Sequence, residues 1–146
     1  MLLEVFREVI VAWRVRHGRR TLEAALPPVA THRAFGESHL APYVRRIRLS
    51  VACLLFFKPD RCFYRAFATA VMLRRRGWCV TLNLGCKTAS TMPGGFSGHC
   101  WASLGGTPLG EINDPRASYP IRMGTYKSLL HYWLGGSEGP TTPSSP

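Results

Sequence analysis

The feature that most limits how this chain can fold is a change of hydrophobic period at Gly77: apolar side chains recur every three or four residues before it and alternate after it. From Leu2 to Arg16, the residues Leu2, Val5, Phe6, Val9, Ile10 and Trp13 keep helical spacing, with Arg7, Glu8, Arg14 and Arg16 mostly on other faces. This predicts an amphipathic helix that ends near Gly18. Thr21 is placed to cap a short helix stopped by Pro27-Pro28, and residues 27–39 read as a connector. The apolar stretch from Leu40 to Phe57 reads as a buried helix, because its uncharged part is too short to span a bilayer. Pro59-Asp60 breaks it, and Asp60 is placed to cap a helix from Arg61 through Arg76. Arginines suit the C-terminal end of that helix, and Gly77 suits its stop.

Beyond Gly77, Trp78, Val80, Leu82 and Leu84 alternate with Cys79, Thr81 and Asn83, the period of a strand. Thr88 to Gly98 is rich in Ser, Thr, Gly and Pro and reads as a loop. His99–Leu104 and Thr107–Ile112 read as two short strands joined by a Gly105-Gly106 hairpin turn. A last amphipathic segment, Tyr126 to Leu134, reads as a helix packed on the sheet. The expected class is α+β: an N-terminal helical region over residues 1–57, a core over 58–134, and a disordered tail over 135–146. In the core, a helix packs on a small antiparallel sheet.

Cys62 falls in the first turn of the Arg61–Arg76 helix, where unpaired N–H groups and the helix dipole favour a thiolate. Asp60 opposes that effect, so a paired histidine is required to activate the sulfur. His99 stands at the start of a strand straight after a glycine-rich loop, with Trp101 on the same strand face. An imidazole there needs an orienting acid, and two are within reach: Glu111 at the end of the neighbouring strand and Asp114 in the turn beyond. A cysteine on a helix with histidine and acid on adjacent strands is the papain and transglutaminase arrangement. Cys53, Cys79 and Cys86 read as inert thiols, and His17, His32, His39 and His131 as structural.

Charge and cysteine usage limit the setting. Nineteen Lys and Arg against eight Asp and Glu give a net charge of +11, a field that favours an acidic peptide, nucleic acid or a membrane surface. Five cysteines without a C-x-x-C pair favour a reduced, cytoplasmic chain. The N-terminal segment is interrupted by charge every few residues, unlike a signal peptide, and no stable membrane insertion is expected. No GxxxxGK[ST] run occurs, so ATP chemistry is expected elsewhere.

The run Arg61-Cys62-Phe63-Tyr64-Arg65-Ala66, then Leu73–Gly77, Leu84-Gly85, Phe96–Trp101, Gly105, Leu109-Gly110-Glu111 and Tyr119-Pro120-Ile121 resembles the lasso-peptide leader peptidases. These are split B proteins of the transglutaminase-like cysteine peptidases, and the likeness covers residues 58 to 122 in order and spacing. It implies a triad of Cys62, His99 and Glu111, the acid standing twelve positions after the histidine; that family more usually has Asp there. It also implies a lasso-peptide precursor as substrate, a separate small leader-recognition protein and a separate ATP-dependent lasso cyclase. No cofactor and no metal are implied. Two related readings keep or discard the triad: acyl transfer to an amine, as in transglutaminases, or a basic nucleic-acid-binding protein. The second lacks a recognisable binding module, so no nucleic-acid partner is expected. A zinc site from Cys79, Cys86, His99 and Cys100 is a further alternative, with unsuitable spacing.

Overall fold

The computed structural model describes residues 1–28, 40–56, 61–88, 96–119 and 121–122. The Pro59-Asp60 break, most of the expected connector, the tip of the expected loop, the Tyr126–Leu134 segment and the tail lie outside the described residues. Five helices are described, α1 (Leu2–Arg16), α2 (Leu22–Ala25), α3 (Leu40–Leu54), α4 (Arg61–Arg74) and α5 (Pro115–Ser118). Four strands, β1 (Val80–Thr88), β2 (Phe96–Leu104), β3 (Thr107–Pro108) and β4 (Ile121–Arg122), form one antiparallel sheet in the order β3-β2-β1-β4. The α+β class therefore holds, with four helices before the sheet and the short α5 between β3 and β4.

The core is organised around α4. Every residue from Phe63 to Leu73 is buried except Arg65, as a helix covered on several sides demands. It packs against α1 and α3 as well as against β1 and β2. One apolar cluster joins Val5, Val9, Ala12 and Val15 of α1, Ile47 and Val51 of α3, Phe63 and Phe67 of α4, and Cys100 of β2. Beyond Arg74 the chain tightens until Gly77, at φ 80°, lets the Trp78 N–H close back on the Leu73 carbonyl at 3.1 Å. Thr21 caps α2 as expected, its Oγ1 accepting from the Ala24 N–H at 3.3 Å.

The buried face of α1 differs from the expected one. Leu2, Phe6, Ile10 and Trp13 are exposed, whereas Val5, Glu8, Val9, Ala12 and Val15 face inward. Alanine and β-branched side chains let α1 approach α4 closely, and two guanidinium groups make the buried acid tolerable. Arg7 Nε donates to Glu8 Oε1 at 3.0 Å, and Arg75 pairs with the same carboxylate from just beyond α4. The α3 helix is buried along only one face, through Val44, Ile47 and Val51, while Leu49 is exposed.

The strands also shift from their expected bounds. β1 runs on to Thr88 and β2 starts at Phe96, so His99 lies inside a strand and not at its start. Cross-strand pairing of Lys87 with Ser97 and of Thr88 with Phe96 carries both strands through loop-like residues. Gly105 and Gly106, at φ 55° and 83°, form the expected hairpin turn between Leu104 and Thr107. The strand after it is shorter than expected, because Gly110 at φ 70° turns the chain out of the sheet. Glu111 consequently sits in coil just past the sheet. Among the described residues no helix is long and apolar enough to cross a membrane.

Candidate active site

Cys62 is the second residue of α4, half-buried, with its N–H among the first-turn donors that have no intrahelical acceptor. His99 comes from β2, where it pairs in register with Gly85 of β1. A Cβ at Gly85 would stand 2.9 Å from the Trp101 ring and 3.0 Å from Tyr119 Cβ. The glycine thus makes room for the aromatic bed on which the imidazole rests. His99 stacks with Trp101, centroids 6.1 Å apart and 16° between planes, and with Tyr119 at 5.1 Å and 25°.

Glu111 completes the cluster from the segment after β3. His99 Nε2 donates to Glu111 Oε2 at 3.3 Å, with only 16% and 18% of the two side chains exposed. That tautomer leaves Nδ1 as the ring nitrogen available to the Cys62 sulfur. The other carboxylate oxygen, Oε1, forms an ion pair with Arg48 Nη1 of α3 at 3.6 Å. A cavity of about 290 Å³ opens beside these groups, lined among others by Arg48, Arg65, His99, Glu111, Asn113 and Tyr119.

The electrostatics favour separated charge. A hydrogen bond with the Cys100 side chain, followed by one with His99, holds the Cys62 thiol down to about 4 against the opposing effect of burial. The bond with Cys62 and then that with Glu111 push His99 up to about 9, again against burial. Burial pushes the Glu111 carboxyl upward, but the His99 hydrogen bond and the charge of Arg48 leave it below its ordinary value. Between about 4 and about 9 the resting pair is therefore thiolate and imidazolium, a nucleophile beside a proton donor.

The three expected residues Cys62, His99 and Glu111 come together. The other acid, Asp114, lines the same cavity but bonds to Arg116 and not to His99: it caps α5, its Oδ1 accepting from the Arg116 N–H at 2.9 Å while its Oδ2 meets Arg116 Nη2 at 2.6 Å. The hydrogen bonding of Arg116 holds its carboxyl below the usual range. Cys53 and Cys79 are exposed and Cys86 is buried, with burial pushing the Cys86 thiol up. Among the described residues no three His, Cys, Asp or Glu side chains gather to hold a metal ion.

Sequence reading missed Cys100, Arg48 and Arg65 as members of this site. Cys100 carried a signal in its position beside His99, since strand alternation sends its side chain to the α4 side. Arg48 carried none, because Arg45, Arg46 and Arg48 look alike as a solvated basic run.

Comparison with curated proteins finds no match, and comparison with solved structures finds none. A family model described as the transglutaminase-like superfamily matches residues 1–123, taking in α1 to α3 along with the cysteine helix and the sheet. With the match running over most of the chain, and with a half-buried cysteine, histidine and acid assembled at its helix–sheet junction, the protein belongs to the transglutaminase-like superfamily, whose members are typically cysteine-dependent enzymes.

Proposed function

We propose that the protein is a cysteine peptidase that removes the leader from a ribosomally made lasso-peptide precursor in the cytoplasm. A separate small protein binds the leader and presents it, and a separate ATP-dependent cyclase closes the released core. The observation that carries the peptidase reading is the Cys62–His99–Glu111 cluster, with its 3.3 Å His99–Glu111 hydrogen bond. The lasso-peptide role is supported by the ordered likeness over residues 58 to 122. The net charge of +11 suits an acidic peptide or partner surface.

In this reading the Cys62 thiolate attacks the scissile carbonyl carbon, and the carbonyl π pair moves to oxygen beside the Cys62 N–H. The carbon–nitrogen bond then breaks as His99 gives its proton to the leaving amine, which is the new N-terminus of the core. The leader remains as a thioester on Cys62. Water loses a proton to His99 and attacks that thioester, the carbon–sulfur bond breaks, and the leader leaves as a carboxylic acid. Glu111 keeps the imidazole oriented through both halves.

The experiment that tests it is mass spectrometry of the precursor after incubation with the enzyme and the leader-binding protein. Hydrolysis gives two fragments whose masses sum to that of the precursor plus one water. A leader carrying an added amine in place of water would move the assignment to acyl transfer, and an uncut precursor would contradict the peptidase reading.

A further inference from the structure

We propose that Arg48 is a positioning residue for the active site, anchoring Oε1 of Glu111 so that Oε2 stays directed at His99. The inference rests on the proposed triad chemistry and adds a fourth member drawn from the N-terminal helices. Glu111 needs such an anchor because it lies in coil beyond Gly110, where no strand pairing fixes its backbone. A glutamate side chain also has three torsions to settle, so an unanchored carboxylate loses rotamer entropy on meeting a single partner.

Three observations single out Arg48. Its Nη1 faces Glu111 Oε1 at 3.6 Å while the opposite oxygen meets His99 Nε2 at 3.3 Å, so the carboxylate is spanned from both sides. The guanidinium is itself confined, since its side chain is only 20% exposed. Gly110 explains how it fits. A Cβ at that position would come within 2.6 Å of Arg48 Nη1, 2.8 Å of its Cδ and 3.0 Å of Val44 Cγ1. The residue just before Glu111 is therefore one whose missing side chain leaves the arginine its seat on the backbone, and the φ of 70° requires glycine for the turn as well. A solvated surface arginine has neither a confined seat nor a partner inside the site.

The sign of one titration separates positioning from simple proximity of charge. Glu111 feels Arg48 from α3, Arg65 from α4 and His99 from β2; His99 feels Cys62 from α4 and Glu111. If Arg48 acted only as a nearby positive charge, its removal would raise the His99 pKa. If it positions Glu111, its removal lets the carboxylate drift, and the His99 pKa falls.

The test is NMR titration of histidine-labelled full-length protein, with His99 assigned through His99→Gln. Arg48→Met is expected to lower the His99 midpoint by about 0.5–1 unit, and Arg48→Lys to restore most of that loss. In a Glu111→Gln background, Arg48→Met should bring no further fall. Where Arg48→Met does not fold, Arg48→Gln is measured, with the same downward shift expected. An unchanged or raised midpoint in the variants, with the wild-type midpoint elevated, overturns the role of Arg48 and leaves the triad standing. A wild-type His99 titrating near an ordinary 6.5 overturns the triad chemistry itself, and the role assigned to Arg48 with it.

Discussion

Glu8 on α1 is fully enclosed and meets Arg75, which reaches it from the turn after α4. The pair ties the first helix of the chain to the far end of the helix that carries Cys62. Breaking a buried ion pair by removing one partner typically costs about 3–5 kcal/mol, because the other charge is stranded. Arg75 is 42% exposed and can turn to water, so Glu8→Gln is expected to cost less, about 1–3 kcal/mol, in urea unfolding. The Cys62 alkylation profile should not change. A loss below about 0.5 kcal/mol, the range of ordinary surface substitutions, would mean the pair contributes nothing to holding α1 on α4.

The charge state of Cys62 can be read without a substrate. Its thiolate should persist down to about 4, so alkylation by iodoacetamide, followed on the Cys62 peptide by mass spectrometry, should be flat at neutral pH and fall only through that value. Turnover should fall there too, and again above about 9, where His99 loses the proton that the leaving amine needs. Alkylation itself should not fall at the alkaline limb, because the sulfur stays ionised there. Since Cys100 is the first cause of the low thiol value, Cys100→Ala should move the alkylation midpoint upward. A wild-type midpoint between 8 and 9, that of an ordinary thiol, would contradict the ion pair.

The orienting acid is decided by comparing two substitutions. Glu111→Gln exchanges the charged acceptor of the His99 Nε2 proton for a neutral amide and should lower single-turnover cleavage about tenfold or more with little change in stability. Asp114→Asn should have a smaller effect on cleavage, since that carboxylate serves the α5 cap and Arg116. A near-normal Glu111→Gln beside an inactive Asp114→Asn would transfer the role to Asp114.

What was legible in the sequence was local. Gly77 and the Gly105-Gly106 turn need backbone conformations that only neighbouring residues decide; the glycine pair makes the hairpin turn as expected, and Gly77 reverses the chain after a cysteine helix that ends at Arg74, two residues before the expected Arg76. The hairpin brings the chain after it back toward His99, which leaves both Glu111 and Asp114 within reach, and only the family likeness points to the acid twelve positions on; the structure sets Glu111 Oε2 3.3 Å from His99 Nε2. Illegible features depend on distant partners. Glu8 reads as a solvent-facing acid until Arg75, 67 positions later, is brought against it. Ser97 and Gly98 read as loop until β1 supplies a ladder for them. Arg48 reads as one of several surface arginines until Gly110 gives it a seat.

The central claim is that Cys62 performs the cleavage, and single-cysteine variants test it most directly. Cys62 lies at a helix end and is half-buried, so replacing it with alanine removes the proposed nucleophile without opening a core cavity. Precursor cleavage in the presence of the leader-binding protein is to be measured for wild type, Cys62→Ala, Cys53→Ala and Cys79→Ala, with unfolding followed in parallel. The account predicts no detectable leader release by Cys62→Ala at unchanged fold, and nearly normal release by the other two. Leader release by Cys62→Ala beside a folded but inactive Cys53→Ala or Cys79→Ala would contradict it.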